Sequence, residues 1–377
     1  MSEKFDIAVI GSGAAGIAAA VCASRAGGKV LLLDKNPAGG GTGGFSGLTT
    51  LCGLYDDAGD FLNGGFAREF AEALMERRTS IRRDDKTPLS QRAESEFGAP
   101  IKSGRLWVLP YRPEKFRTLA EEFFAATPNL KTVWSAPLKN VVVENGRIVS
   151  LNGFPVGAVI DCSGTAEVAQ MAGAECLATD ETTQASAVVF ALRGVTREIN
   201  STADAARVLM PIIRAGFPSL HFHPDLEPGG LTVKFSGLPE QVPPLIEFLR
   251  ANVRGFENCS SPQKSFSVSR RAGRMVVGEY ILTGADVVGA KKFPDAVARC
   301  AWPVEQWGAD GKTRLRWLPP GEFYEIPARA LCAAKIKNLF MAGKTISADA
   351  EAIASARVMG CCLATGEAAA KLAAAIK

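Results

Sequence analysis

The first 34 residues constrain this chain most, because they set out strand, glycine turn, helix, strand and acid in a fixed order. Phe5–Ile10 (FDIAVI) is a continuous apolar run, as expected of a strand buried on both faces of a parallel sheet. Gly11-Ser12-Gly13-Ala14-Ala15-Gly16 follows at once. An Ala-rich helix then runs to Arg25 and stops at Gly27-Gly28, and Lys29–Leu33 is a second apolar strand that ends on Asp34. Each glycine has a physical use. Gly11 suits the tight turn, Gly13 leaves the backbone open to a pyrophosphate, and Gly16 lets the helix lie against the strand. The free N–H groups of the helix start, at Ser12, Ala14 and Ala15, offer partial positive charge to that pyrophosphate. Asp34, followed by Lys35, is placed to accept hydrogen bonds from an adenosine ribose. On these residues alone the ligand is a dinucleotide, either FAD or NAD(P).

The remaining bounds narrow the class. At 377 residues the chain suits two domains, one interrupted by the other. A net charge of +4 gives no footprint for nucleic acid or an anionic membrane. No apolar run reaches the ~18 residues that a membrane span needs. The first strand begins within five residues of Met1, which leaves no room for a signal peptide, so a cytoplasmic protein is expected. The nine cysteines are scattered and form no CxxC, and with only His221 and His223 in the chain no metal site is expected.

Further along, Asn36–Gly53 carries seven glycines in eighteen residues, which suggests backbone running beside a ligand. Helices are predicted at Phe66–Arg78 and Pro113–Ala126, and a charged, irregular loop at 79–105. Strands are predicted at Lys131–Trp134, Leu138–Glu144 and Arg147–Leu151, the last two joined by an Asn145-Gly146 turn. Val156–Asp161 runs into Cys162-Ser163-Gly164-Thr165 and a helix at Ala166–Ala172, repeating the strand–glycine–helix logic. From about Glu175 the texture changes. Ser186–Leu192 and Leu231–Phe235 alternate as in an antiparallel sheet, with helices at Ala203–Ala215 and Gln241–Asn252. Met275–Leu282 reads as a buried strand. Near Pro319 the first texture returns, with a strand at Asn338–Ala342, then Gly343, and one long helix at Ala352–Ile376.

Four segments resemble the FAD-dependent oxidoreductases of the fumarate reductase/succinate dehydrogenase flavoprotein type, and in particular their shorter bacterial branch. They are the opening βαβ with GGGTGGFSGLTT, Val159–Glu175, Val253–Val287 with its RRAGRMVVGEYILTGAD run, and the stretch from FYEIPARAL to GEAAA. The resemblance implies an α/β fold: a Rossmann-like FAD-binding domain with a parallel sheet, formed by residues 1–175 and 320–377, and an inserted α+β substrate or cap domain at 176–319. It implies FAD held at Gly11–Gly16, Asp34 and Lys35, with its flavin end near Gly41, Thr42, Gly164, Gly343, Arg357, Val358 and Met359. The implied activity is hydride transfer between flavin N5 and a small organic substrate, with an anionic one suggested by the arginines. This chain departs from the family in having Gly343-Lys344 where Gly-Arg is common, and Arg274-Met275 where two arginines are common.

Arg271 and Arg274 are candidates to orient an anionic substrate, by the bidentate fit of guanidinium to carboxylate; pairing with Glu279, Asp286 or backbone carbonyls is the alternative. Lys344 is a candidate to stabilise reduced flavin. Cys52 is read as a small packing residue rather than a covalent flavin anchor. His221 and His223 share one side of a strand that is read as solvent-facing. Tyr280 and Tyr324 are possible proton donors, with Tyr324 placed at the domain joint. The expected partner is a small-molecule substrate, with no nucleic acid and no membrane span; the electron acceptor and oligomeric state are left open. A flavin-dependent monooxygenase or peptide- or RNA-modifying flavoenzyme, and a non-catalytic FAD-binding subunit, are the alternative functions.

Overall fold

The computed structural model describes residues 3–76, 81–82, 96–180, 184–199, 202–225, 227, 230–264, 268–308 and 313–376. Of the irregular stretch expected at 79–105, residues 79–80 and 83–95 lie outside them. The elements that position the site are, in chain order, β1 (Phe5–Ile10), α1 (Ala14–Arg25), β2 (Val30–Leu33), β3 (Leu130–Val133), β4 (Val141–Glu144), β5 (Arg147–Leu151) and β6 (Phe154–Asp161). They continue with β7 (Ala187–Leu192), β8 (Leu220–Pro224), β9 (Leu231–Phe235), β10 (Val268–Ser269), β11 (Leu339–Met341), α2 (Ala350–Ala356) and α3 (Met359–Ala374).

Five strands run parallel in the order β3–β2–β1–β6–β11, with Ile7 level with Val30 on one side and Ala158 on the other, and Val159 level with Leu339. All four residues of β2 are buried, which accounts for their uninterrupted apolar sequence. The β4–β5 hairpin turns at Asn145 (φ 50°) and Gly146 (φ 72°), the paired positive φ values of a type I′ turn. It continues antiparallel onto Phe154-Pro155 at the start of β6. The glycine turn behaves as its spacing predicts. Gly11 takes φ 97°, and a Cβ on Gly16 would overlap the carbonyl oxygen of Gly11, so only glycine lets α1 lie this close to β1. Helices α1 and α3 pack together through alanines in one core cluster, small side chains allowing the close approach.

A second, antiparallel sheet has the order β8–β9–β7–β10. Val188, Phe190, Leu192, Val233 and Phe235 pack from it onto Val208 and Ile212 of the helix Thr202–Arg214 and onto Leu245 and Leu249 of the helix Val242–Asn252. At about 1.5–3 kcal/mol for each fully buried large apolar side chain, this separate cluster holds the sheet and its two helices together. The strand alternation then turns Val189, Thr232 and Lys234 to the opposite face.

Two expectations are corrected. The buried strand expected over Met275–Leu282 is confined to Arg274–Val276, paired with Cys176–Ala178; the chain then turns away, with Gly278 bridging Ala333. The helix expected over Ala352–Ile376 is two helices, because Val358 adopts extended backbone (φ −66°, ψ 145°) between α2 and α3. Leu282, Val287, Phe293, Cys300, Trp302 and Val304, from the segment expected as the cap, pack into the same core cluster as α1 and α3. The reason is local: the strand Ala296–Cys300 pairs with Tyr324–Pro327 and lies against α3.

Candidate functional site

The chain leaves β1 toward β2 on one side, while β6 and β11 extend the sheet on the other. The carboxyl ends of β1, β6 and β11 therefore meet at a topological switch point, where open α/β sheets bind their ligands. A cavity of about 390 Å³ opens there. Its floor is the glycine turn Gly11–Ala15 with Cys162–Gly164 after β6 and Gly343 after β11.

At one end of the cavity stands Asp34, which is buried. One carboxylate oxygen accepts from the backbone N–H of Ser12 at 2.6 Å and from its hydroxyl at 2.5 Å. The other accepts from the backbone and side-chain nitrogens of Asn36 at 2.8 and 2.9 Å. These four donors fill the four lone-pair positions of a carboxylate. Asp34 thus braces the turn, with all its lone-pair positions engaged by Ser12 and Asn36. On the other side of the turn, the Asp161 carboxylate accepts from Ser163 N (3.0 Å), Ser163 Oγ (2.6 Å) and Ala169 N (3.3 Å), fixing the Cys162-Ser163-Gly164 bend. Burial raises the pKa of Asp161.

The middle of the cavity suits a pyrophosphate. Helix α1 starts at Gly13 with no side-chain cap and no acid in its first turn, so its leading N–H groups are open to an anion. A Cβ on Gly13 would find nothing nearer than the Gly41 Cα at 4.0 Å, whereas one on Gly41 would lie 2.7 Å from the Gly13 Cα. The two glycine backbones pack directly against each other, so a side chain on Gly41 would collide with the turn. Lys35, Thr42 and Gly164 also line it.

At the far end the break between α2 and α3 brings Arg357, Val358 and Met359 to the cavity, with the N–H of Gly360 bonded to the Cys52 carbonyl at 2.8 Å. Arg357 Nη2 donates to Gln184 Oε1 at 3.0 Å, and its Nε is buried with no hydrogen-bond partner among the described residues. Above it stands the polar face of the antiparallel sheet. Lys234 reaches in from β9, its ammonium 5.4 Å from the Trp307 ring centre. The Arg271 guanidinium lies over the same ring at 4.3 Å, and its Nη1 donates to the Ala185 carbonyl at 2.6 Å. Glu305 is the carboxylate of this chamber, one oxygen accepting the Trp302 indole N–H at 3.1 Å. Burial lowers the pKa of both Lys234 and Arg357, and the Glu305 charge opposes the shift in each.

Of the residues singled out from sequence, Gly11, Ser12, Gly13, Ala14, Ala15, Asp34, Lys35, Gly41, Thr42, Gly164, Gly343, Arg357, Val358 and Met359 line this one cavity, as do Arg271 and Lys344. Gly16 does not; it serves helix packing. Arg274 does not reach the cavity either. It is exposed at the start of a short strand whose next residue, Met275, is the buried one. Lys344 Nζ donates to the carbonyls of Arg270 and Ala272, both at 3.2 Å, so it braces the turn that carries Arg271. Cys52 lines the cavity, but burial pushes its thiol pKa up to about 12, which fits packing rather than reactivity. His221 keeps much of its surface in solvent but packs its ring edge-on to Trp307 at 5.3 Å, and His223 lines the cavity, contrary to the expectation of a solvent-facing pair. Tyr280 donates to Asp286 at 2.8 Å, and Tyr324 is buried against Ser355 at 2.9 Å, both away from the cavity. Lys234, Thr232, Glu305 and Trp307 were missed. The alternation in LTVKF identifies Thr232 and Lys234 as sharing a face, but only the fold turns that face onto a cavity.

An uncapped helix start over a glycine turn, at the switch point of a parallel sheet, defines a Rossmann-like dinucleotide-binding fold. Residues 6–228 and 223–377 match the family described as FAD dependent oxidoreductase, so the chain belongs to that family and FAD is its cofactor. No curated protein matches it. Among solved structures it is similar to a geranylgeranyl bacteriochlorophyll reductase-like protein from Thermoplasma acidophilum, with a TM-score of 0.50, 15% identity, and coverage of 99% of this chain and 78% of that one. It is similar to GidA of Aquifex aeolicus, with a TM-score of 0.50 and 14% identity; 99% of this chain aligns, spanning 63% of that longer one. At such identities the likeness is one of fold. Among the described residues, no helix is long and apolar enough to cross a membrane.

Proposed function

We propose that this protein transfers hydride between a small anionic organic substrate and FAD. The observation that carries this reading is the chamber beyond the glycine turn, where Lys234, Arg271 and Arg357 stand around Trp307 with Glu305 as the carboxylate. Such a set of donors favours a carboxylate-bearing ligand, and the unpartnered Nε of Arg357 gives it a buried hydrogen bond still to be made. FAD, when bound, supplies the two-electron acceptor. The protein's own residues hold and orient. Arg271, stiffened by Trp307 and the Ala185 carbonyl, and Arg357, stiffened by Gln184, fix the substrate carboxylate; Lys344 holds the 270–272 turn in place. The apolar wall of Val189, Val358 and Met359 excludes water from the reacting carbon.

In this reading residues 1–175 and 320–377 form the FAD-binding domain, joined by the stretch from about 275, and the antiparallel sheet with its helices forms the cap. All nine cysteines are free, which accords with a cytoplasmic enzyme. An anaerobic screen of small carboxylates against the FAD-loaded protein tests it. Bleaching of the flavin absorbance by one of them is the expected result. Flavin that no such compound bleaches, but that an external reductant plus oxygen turns over, would favour a monooxygenase instead.

A further inference from the structure

Lys234 sits in the middle of β9 and is flanked in register by His221 of β8 and Val189 of β7. It makes no hydrogen bond or ion pair with any described residue; its recorded contact is with the Trp307 ring. That is an unusual position for an ammonium, which has three donors and no acceptor. Arg271 and Arg357 share the chamber and are likewise donors only, permanently charged. A neutral amine at Lys234 would instead carry a lone pair, an acceptor that neither guanidinium supplies. Resting on the function proposed above, we propose that the Lys234 side-chain amine is the proton acceptor for the substrate's hydroxyl or amino group.

The step balances. The O–H or N–H proton passes to the Lys234 lone pair, its bonding electrons form the second C=O or C=N bond, and the C–H electron pair leaves as hydride to the oxidant, bound FAD. Lys234 becomes an ammonium that later releases its proton to water. The groups that bear on it shift its equilibrium toward the neutral amine. Burial is the largest cause that disfavours its charge, joined by Arg271 and Arg357, and the Glu305 carboxylate only partly opposes them. His221 is itself held toward neutrality by burial and by the nearby Lys234 and Arg271, so it adds no fixed positive charge. Glu305 is the rival acceptor, but one of its oxygens is engaged by Trp302.

Competitive acetylation of the FAD-loaded protein with acetic anhydride over a pH series, read by peptide mass spectrometry, reports the neutral fraction of Lys234 without any substrate. Exposed Lys371 serves as the internal reference. The expected midpoint for Lys234 lies more than about one unit below that of Lys371. A midpoint equal to that of Lys371 overturns the proposal. Lys234→Ala and Lys234→Met each remove an amine that holds no hydrogen bond among the described residues, and both are expected to fold. Both should slow flavin reduction by about 10²–10⁴-fold. Added methylamine should restore part of the rate in Lys234→Ala, and Lys234→Arg, which cannot lose its proton, should not recover. Flavin reduction in Lys234→Met at the wild-type rate overturns the assignment of the base while leaving the proposed function standing. Wild-type flavin that no carboxylate reduces overturns both.

Discussion

Replacing Asp34 by alanine removes the acceptor that ties the glycine turn to the end of β2. The Ser12 N–H is fully buried, so losing its only short acceptor costs about 1–3 kcal/mol. The Ser12 hydroxyl and the Asn36 amide can rotate toward water or other oxygens and recover part of their loss. The net destabilisation is therefore expected near ~3 kcal/mol, well within the ~5–15 kcal/mol that a folded protein has. The same carboxylate is the expected acceptor for the FAD ribose. Hydrogen bonds to a charged acceptor contribute about 1.5–3 kcal/mol, so FAD should bind roughly 100-fold more weakly. Urea unfolding of the apoprotein reads the first quantity and equilibrium dialysis of FAD the second. Ser12→Ala is the informative contrast. It frees a lone pair on Asp34 that the hydroxyl now occupies, so FAD affinity should hold or improve while stability falls by only about 1 kcal/mol. If Asp34→Ala binds FAD as wild type does, or Ser12→Ala weakens binding as much as Asp34→Ala, the brace-and-exchange account of this carboxylate fails.

The two flanking glycines should separate fold from cofactor. Gly16→Ala forces a Cβ into the Gly11 carbonyl and should cost about 3 kcal/mol or more, seen as a fall in melting temperature. Gly13→Ala, whose Cβ meets nothing nearer than the Gly41 Cα at 4.0 Å, should melt like the wild-type apoprotein yet lose FAD in dialysis. Arg271→Met should raise KM for a carboxylate substrate while leaving bound FAD unchanged on gel filtration, since the guanidinium lies in the chamber over Trp307. Burial raises the Cys52 pKa to about 12, so the thiol stays protonated until the pH nears that value. At pH 8 only about one molecule in ten thousand would carry the thiolate. Iodoacetamide should therefore leave the Cys52 peptide unmodified, and acid precipitation should leave FAD in the supernatant.

Much of the nucleotide half was legible because each of its constraints is local. A doubly buried strand must be continuously apolar, a tight turn needs Gly11, and helix contact needs Gly16. The same locality made Arg357, Val358 and Met359 recognisable as a group, although the expected single helix hid why they matter. It is the break at Val358 that brings them to the cavity. The substrate chamber was not legible in the same way. Arg274 looked equivalent to Arg271 in the RRAGR run, yet strand alternation at Met275 leaves Arg274 outside. Lys234 and Glu305 lie 71 residues apart, and no spacing rule joins them; the packing of the antiparallel sheet over the parallel one does. The packing of the inserted segment was hidden for a related reason. The strand at Ala296–Cys300 has the texture of the inserted segment but packs with the FAD-side core.

The central claim is that a cationic chamber presents a carboxylate substrate to FAD bound along the glycine turns. Anaerobic mixing of the FAD-loaded protein with matched pairs of small 2-hydroxy or 2-amino acids and their methyl esters tests it most directly. The account predicts that at least one acid bleaches the flavin and that its ester does so far more slowly. An ester that reduces the flavin as fast as its acid would contradict it.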